Sequence, residues 1–390
     1  MDKGKYLLIL VFVVFTANLK AQVNNIQASD STSLELYNRG DWKQLIKYRD
    51  QTLNTGRADF PGLRLRIGYA FMMTGNYKQA LKQFENILSK DTYNQTVRYY
   101  AYLCNKYLNN DLSASYNAAY LQNKNGLSSF GLIDAGAESS VKINTDINRD
   151  NATYSRISLS NRLSWRWQLE ESLAYYNQTI FKLGNYDGYG NSVHAADQQK
   201  EYYAKLSFAI SNQLTLMGAY HYANTKFETT TDNSNLGLLA LRYNGTYVDL
   251  QGDINFGRLD DKQLQQYDAK LTFYPFGNFN LYTISRGSDQ HLNSNDHFIF
   301  NQAIGFKVIK NTWLESTITI GDQDDYLDAD GLYIYNAIDK TTFKYGETLF
   351  YQLGAHSQLQ LSYVYEKKDD TYQSLNYVQN SVTLGFLWKF

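Results

Sequence analysis

The sequence predicts an α+β chain in two parts: N-terminal helix pairs, then an antiparallel, up-and-down transmembrane β-barrel of about 14 strands. Three observations lead to this prediction. Up to about Asn123, apolar residues recur every three to four positions, which is helical spacing. After Gly131 they alternate with polar residues, as in a strand with one apolar face. The alternation continues to the terminal aromatic residue, Phe390.

The composition narrows the class of protein. The 390 residues include 37 basic and 38 acidic side chains, so no nucleic-acid partner is predicted. The 35 Tyr and 20 Phe residues, with only 2 Pro, favour strands and membrane–water interfaces. The single cysteine, Cys104, cannot form an intramolecular disulfide, and its helical surroundings predict a buried core position.

The first residues predict a secretory signal peptide over residues 1–21. Lys3 and Lys5 precede an apolar run that ends at Ala17, and the small residue Ala21 follows. As a helix this run would extend only about 18 Å, which is too short to cross a bilayer. The sequence therefore predicts an exported mature chain.

The helical part is predicted to cover residues 22–128 and to consist of repeats. Small and aromatic residues follow one another in the segment 68–90 at spacings that let two helices pack closely, namely Gly68, Gly75, Tyr77, Ala80 and Phe84. This order resembles the tetratricopeptide repeat (TPR), a 34-residue helix pair. Weaker copies precede and follow it, and about three such units are needed for a stable stack.

The barrel is predicted to cover residues 129–390, and the stretch TYVDLQGDINFG (246–257) illustrates its strands. Alternate letters form an apolar series (Val248, Leu250, Gly252, Ile254, Phe256) and a polar series (Asp249, Gln251, Asp253, Asn255). Short turns at one side alternate with longer polar connections at the other, which is typical of outer-membrane barrels. An even strand number between 12 and 16 brings both ends of the barrel domain to the same side.

A soluble β-sandwich would share this alternation, but the C-terminus favours a barrel. Phe386, Trp388 and Phe390 occupy every second position of the last strand. The pattern resembles the closing strand of bacterial outer-membrane proteins, whose terminal aromatic residue is recognised by the barrel assembly machinery. These three residues are therefore predicted to form an assembly signal.

The polar series predicts a charged lumen. Its candidates carry both signs, namely Arg156, Lys205, Asp249, Gln251, Asp253, Asp268, Lys270 and Glu315. Two interpretations remain open: an interior packed by ion pairs, or a water-filled pore.

Other candidate sites are weaker. His291 and His297, with Asp289 and Asp296, could activate a water or a serine from an outward loop, but any solvated loop contains these residue types. The acidic stretch 321–331 could bind Ca²⁺ or bridge to lipopolysaccharide, although a charged, solvated loop is the favoured interpretation. The sequence predicts no catalytic residue, no cofactor and no metal site.

The domain order, the repeat around residues 75–88, the stretch GLYIYNAID (331–339) and the closing YVQNSVTLGFLWKF resemble the YaiO-type outer-membrane barrel proteins, especially longer forms from Bacteroidetes. The resemblance covers the whole mature chain. It implies the outer membrane of a Gram-negative bacterium, with the repeats in the periplasm, and it assigns no functional residues.

These observations predict a barrel in outer-membrane lipid and lipopolysaccharide that anchors a protein-interaction domain. The partner would be an unidentified periplasmic protein, in envelope or surface-polysaccharide assembly. Stacked repeats form a concave groove, and Arg64, Tyr69 and Met72 are predicted to line it. The alternative is a channel for small polar solutes that is gated by the repeats. An outer-membrane enzyme is the least favoured interpretation.

Overall fold

The computed structural model describes residues 25–146, 148–186, 192–293, 295–369 and 376–390. The predicted signal peptide lies outside the described residues. The chain divides into two compact units. The first contains the described residues up to Asn110 together with Tyr120–Asn123, and the second contains Asp111–Ala119 and Lys124–Phe390.

The first unit is helical, and polar caps start three of its helices. Its helices are α1 (25–38), α2 (Trp42–Thr52), α3 (Pro61–Met73), α4 (Tyr77–Leu88) and α5 (Gln95–Tyr107). The side chains of Asp41, Asn76 and Asn94 accept hydrogen bonds from backbone N–H groups three residues later, at 3.3, 3.1 and 3.2 Å. Each cap satisfies a donor that the first helical turn leaves open.

The turns of this unit recur at a regular spacing. Gly40, Gly75 and Asn109 adopt left-handed backbone conformations, with φ of 69°, 80° and 48°. They follow one another at separations of 35 and 34 residues, and each lies between two helices that are consecutive in the chain. Left-handed residues at helix ends favour Gly and Asn, which explains the residue types at these three turns.

Close packing between α3 and α4 depends on Gly68. A Cβ atom at Gly68 would lie 2.5 Å from Phe84 Cε1, so only glycine fits beneath that ring. Phe84 and Ala80 are both 0% exposed. Tyr77 stacks on Tyr107 with ring centroids 4.8 Å apart. Two of the five predicted packing residues, Gly68 and Phe84, therefore lie against each other between α3 and α4.

The second unit is a closed, antiparallel barrel of 14 strands, which confirms the predicted strand number. Its strands, in chain order, are β1 (Gly131–Asn144), β2 (Ala152–Arg162), β3 (Trp167–Tyr186), β4 (Ser192–Ala209), β5 (Leu214–Phe227), β6 (Thr230–Asn244), β7 (Val248–Leu259), β8 (Lys262–Phe273), β9 (Leu281–Leu292), β10 (Asn295–Ile309), β11 (Thr312–Gln323), β14 (Lys340–Leu353), β15 (Ser357–Asp369) and β16 (Asn376–Lys389). β1 pairs with β16 to close the sheet. Two short strands, β12 (Tyr326–Asp328) and β13 (Tyr333–Tyr335), form a separate hairpin.

The second unit also contains helix α6 (Asp111–Ala119). Ser113 Oγ donates to the backbone oxygen of Asn212, 3.0 Å away, and Asn117 donates to the side chain of Asn212. Asn212 lies in the turn between β4 and β5, so α6 is fixed to that turn.

The strands alternate between an apolar outer face and a polar inner face. In β7, Leu250, Ile254 and Phe256 are 48%, 43% and 51% exposed, whereas Gln251 and Asp253 are 5% and 6% exposed. At the C-terminus, the outer series ends in Phe386, Trp388 and Phe390, which are 43%, 42% and 62% exposed. An apolar exterior around a polar interior is the pattern of an outer-membrane barrel.

The predicted long polar connections are mostly strand, which corrects the sequence interpretation. β5–β6, β7–β8 and β9–β10 are each joined by two residues. Asp260 and Asp261 have φ of 47° and 63°, while Glu228 and Asn293 both have φ of 53°. Such left-handed residues permit tight hairpins whose strands extend beyond the apolar band. In the described ranges, no helix is both long and apolar enough to cross a membrane.

Candidate functional site

Residues 324–339, which connect β11 to β14, lie inside the barrel, and we call this segment the plug. It hydrogen-bonds to β2 through Arg156, to β4 through Tyr203 and to β9 through Gln290. These strands lie on different sides of the closed sheet, so a segment that reaches all of them must occupy the lumen. Leu327, in β12, is only 1% exposed.

Asp330 joins the plug to four strands of the wall. Its Oδ1 accepts hydrogen bonds from Lys270 Nζ at 2.9 Å and from Gln251 Nε2 at 2.8 Å. Its Oδ2 lies 3.6 Å from Lys205 Nζ and 3.6 Å from Arg242 Nη2. One carboxylate therefore contacts three cationic side chains, of which Lys205 also lies 3.0 Å from Glu170 on β3. Loss of Asp330 would leave the three cations close together at a poorly solvated position.

Asp328 forms the second ionic contact. It lies 2.7 Å from Arg286 Nη1 and 3.4 Å from Lys344 Nζ. Arg286 Nη2 also contacts Asp268 at 2.7 Å, and Asn255 bridges Asp268 and Asp253 with Nδ2 distances of 2.8 and 3.1 Å. The predicted lumen residues Asp253 and Asp268 are thus part of the network behind the plug.

An apolar contact supports the ionic ones. Leu327 packs in a buried cluster with four wall residues, Leu236, Leu259, Leu264 and Leu292. Burying a leucine side chain contributes about 1.5–3 kcal/mol, so the plug is held by packing as well as by charge.

The two ends of the plug are also anchored. Asp325 accepts a hydrogen bond from Lys262 Nζ at 2.7 Å. Asp339 accepts from Arg149 Nε at 2.6 Å, from Arg149 Nη2 at 3.0 Å and from the Tyr377 hydroxyl at 2.9 Å. Arg149 and Asp339 are 5% and 4% exposed.

Three predicted lumen residues lie away from Asp330. Arg156 contacts Glu138 at 3.1 Å and donates to the Tyr333 hydroxyl at 3.0 Å. Glu315 accepts a hydrogen bond from the Tyr282 hydroxyl at 2.7 Å. Asp249 is half-buried near the β6–β7 turn.

The prediction of a charged, solvated loop over residues 321–331 is wrong. Asp325 and Asp330 are only 2% and 8% exposed, because they neutralise Lys and Arg side chains of the lumen. The oxygen atoms that a Ca²⁺ site would need are occupied by these cations. Among the described residues, no group of three or more His, Cys, Asp or Glu side chains is arranged to hold a metal ion.

The histidines have different surroundings. His221, on β5, contacts the plug: its Nδ1 lies 2.7 Å from the Gly331 carbonyl oxygen, and its Nε2 lies 3.3 Å from Glu201. His291 lies at the barrel rim, with Nδ1 2.7 Å from Asp296 and Nε2 3.5 Å from Asp289. His291 belongs to β9 and His297 to β10, rather than to the predicted outward loop.

The plug leaves part of the lumen unfilled. A cavity of about 320 Å³ lies between β13 of the plug and the inner faces of β1–β4 and β14–β16. A second cavity of about 110 Å³ lies along β1, β2, β15 and β16, toward the end of the barrel where Gly131 lies. Glu138 and Gln360 line both cavities. Ion pairs therefore fill the lumen on the β4–β9 side, and space remains along the opposite wall.

The helical unit presents a second feature, an aromatic ladder. Rings of Tyr37 on α1, Tyr69 on α3 and Tyr100 on α5 follow one another with centroid distances of 5.4 and 5.2 Å. Of the predicted groove residues, Tyr69 is in this ladder, and Arg64 is held by Asp59 at 2.6 Å. Met72 is half-buried on α3.

No protein family and no curated protein matches the sequence. Solved outer-membrane barrels are similar in fold. The TodX deltaS2S3 mutant, a monoaromatic hydrocarbon channel, is 9% identical, with 68% of this chain and 92% of that chain covered and a TM-score of 0.51. The Pseudomonas putida toluene transporter TodX is 9% identical, covering 73% and 94%, with a TM-score of 0.49. The Acinetobacter baumannii outer membrane protein Omp33 is 8% identical, covering 66% and 99%, with a TM-score of 0.38. At such identities the likeness establishes the fold alone.

Proposed function

We propose that this chain is an outer-membrane channel for small polar solutes and that the plug is its gate. The observation that carries the proposal is the pair of cavities that share Glu138 and Gln360 along the β1–β15–β16 wall. Together they outline a path beside the plug. Charged and amide side chains line this path, so the proposed solutes are polar, unlike the hydrocarbons named for the structural neighbour.

The anchoring of the plug suggests which part moves. Asp330 and Leu327 fix one side of the plug to β4–β9. The other side, around Tyr333 and Tyr335 in β13, lines the larger cavity. A displacement of β13 would widen the path without removing the whole plug from the lumen. This gate replaces the repeats in the gating role that the sequence suggested.

Planar-bilayer conductance of the refolded mature chain tests the proposal. We expect small or rare conductance steps from the wild type. Steady, larger steps are expected when residues 326–335 are replaced by a short Gly-Ser linker. Asp261→Asn, which changes an exposed carboxylate at the β7–β8 turn, serves as the control and should behave as wild type. Silence of the linker variant, with the barrel folded, would contradict a channel.

We propose a second role for the helical unit, that of a protein-interaction domain in the periplasm. The Tyr37–Tyr69–Tyr100 ladder favours it, and the spacing of Gly40, Gly75 and Asn109 supports the TPR resemblance and, with the barrel, the YaiO resemblance. A photo-crosslinking residue at position 69 of the full chain should give a discrete protein adduct in intact cells, and one at position 93 should not. Equal adducts at both positions would indicate non-specific contact.

A further inference from the structure

We propose that the larger lumen cavity is a binding site for a small saccharide. This inference rests on the proposed channel function, because the saccharide is taken to be the solute that the cavity holds beside the plug. At about 320 Å³, the cavity lies at the lower end of the range of small-molecule sites, roughly 300–1,000 Å³.

Two buried hydroxyl groups of the lining have no protein partner. Tyr154 Oη on β2 and Ser381 Oγ on β16 are buried and make no hydrogen bond within the described ranges of the chain. Ser381 as a whole is 5% exposed. Because buried polar groups are nearly always hydrogen-bonded, two such groups in one cavity indicate a site whose bonds are completed by a ligand or by water.

The charged groups of the lining restrict the ligand chemistry. Asp197 and Glu366 are 6% and 3% exposed, and in the part of the chain that the structure describes neither has a cationic group within 4 Å. Lys142, Lys344 and Lys368 line the same cavity. Carboxylates only accept hydrogen bonds and an ammonium group only donates them, whereas a hydroxyl does both. A ligand with several hydroxyl groups around its edge can satisfy all of these positions.

Tyrosine rings supply the apolar part of the lining. The hydroxyls of Tyr176 and Tyr333 are already engaged, by Gln178 at 2.8 Å and Glu138 at 3.0 Å, and that of Tyr335 by Lys344. The rings therefore offer apolar surface beside the polar groups. A sugar ring has a C–H face and a hydroxyl edge, which match these two kinds of surface. A zwitterionic amino acid would match the charges but leave the ring faces uncovered.

The test is equilibrium binding to the full mature chain in amphipol or an amine-oxide detergent. Alkyl glucosides and maltosides are unsuitable because their headgroups would compete. D-Glucose, D-galactose, N-acetyl-D-glucosamine and maltose are titrated beside glycine and L-glutamate. We expect saturable binding of at least one saccharide and of neither amino acid. Tyr154→Phe and Ser381→Ala should each weaken it about tenfold, the loss of one hydrogen bond. Tyr220→Phe, which removes an outer-face hydroxyl bonded to Asn235, should leave it unchanged.

Each alternative result decides the question. The same saccharides are titrated into Asp330→Asn, in which we expect the plug to be loosened. This variant tests whether blocked access to the cavity explains an absence of binding. The proposal is overturned if no saccharide binds to either form, if only the amino acids bind, or if Tyr154→Phe binds as wild type. If the linker variant conducts but neither the wild type nor Asp330→Asn binds a saccharide, the channel is retained and this site is removed. Binding without conductance would retain the site and remove the channel.

Discussion

Asp330 Oδ1, at the tip of the plug, lies 2.9 Å from Lys270 Nζ on β8. This contact is the shortest of the three that link Asp330 to cationic side chains of the wall. Because the Asp330 side chain is only 11% exposed, little water would reach the neighbouring cations if the carboxylate were removed.

Asp330→Asn should destabilise the folded barrel by about 3 kcal/mol, within the range found when one partner of a buried ion pair is removed. The three cations would repel one another, and the amide could not replace the carboxylate beside Lys270 and Arg242, although Lys205 keeps its contact with Glu170. The midpoint of urea unfolding in lipid vesicles measures the effect. Asp261→Asn removes an exposed partner of Arg258 and should cost less than about 0.5 kcal/mol. Equal midpoints for the two variants would show that Asp330 does not anchor the plug.

Leu327→Ala should cost about 2–4 kcal/mol in the same assay, because it leaves a cavity between Leu236, Leu259, Leu264 and Leu292. Leu239→Ala is the matched control: Leu239 is 54% exposed on the outer face, where lipid fills the vacated space. A larger effect at Leu239 than at Leu327 would contradict close packing of the plug.

Gly68→Ala should destabilise the helical unit by about 1–3 kcal/mol, the usual cost of overpacking. The added methyl group would lie 2.5 Å from Phe84 Cε1. Thermal loss of ellipticity at 222 nm measures it. Gly62→Ala, in the same helix, meets only ordinary contacts at 3.4 Å and beyond and should be nearly neutral. A second change, Phe84→Leu, should recover part of the loss, and failure to do so would place the strain elsewhere.

Cys104 should make the helical unit less stable in alkali. Burial raises the pKa of its thiol, so the group stays protonated in the folded chain. In the unfolded chain it ionises above about pH 8.5. Stability is therefore fully present below that pH and falls by about 1.4 kcal/mol by pH 9.5. The comparison is the pH dependence of thermal unfolding in wild type and Cys104→Ala. Parallel curves would exclude a contribution from the thiol.

Phe390→Ser should reduce the amount of folded barrel in the outer-membrane fraction severalfold, because we propose that the assembly machinery recognises the terminal aromatic residue. Heat-modifiable migration on gels measures the folded form. Phe276→Ser alters an exposed aromatic residue in the β8–β9 turn and is the control. Refolding of Phe390→Ser into vesicles should remain normal. Failure there would indicate loss of stability instead of recognition.

The barrel could be predicted because alternation is a local property. In β7, Leu250 and Gln251 are neighbours in sequence, and the sheet places them on opposite faces, as period two requires. The turns and the requirement for an even count then gave the strand number, and the alternating aromatic residues Phe386, Trp388 and Phe390 favoured a barrel over a sandwich.

The plug could not be predicted in this way, because its acidic composition is that of a surface loop. Asp328, which is half-buried, and Asp330, which is buried, pair with Arg286, Lys205 and Lys270. These partners lie 42 to 125 residues earlier in the chain, so no local pattern reveals the pairing. One local signal was present: Tyr326 and Leu327 interrupt the acidic run with apolar side chains. The two-residue turns, such as Asp260–Asp261, were missed because Asp tolerates left-handed conformations that the polar composition alone does not reveal.

The position of the plug late in the chain has a consequence for assembly. Lys205, Arg242, Lys270 and Arg286 are synthesised before Asp328 and Asp330, so these cations of strands β4–β9 lack their plug carboxylates until the chain has passed β11. The counter-charges enter before β16 can pair with β1, and this final pairing then encloses them. The barrel therefore closes around a plug that is already in place. A chain that stopped after β11 would expose these cationic groups to anionic headgroups or chaperones.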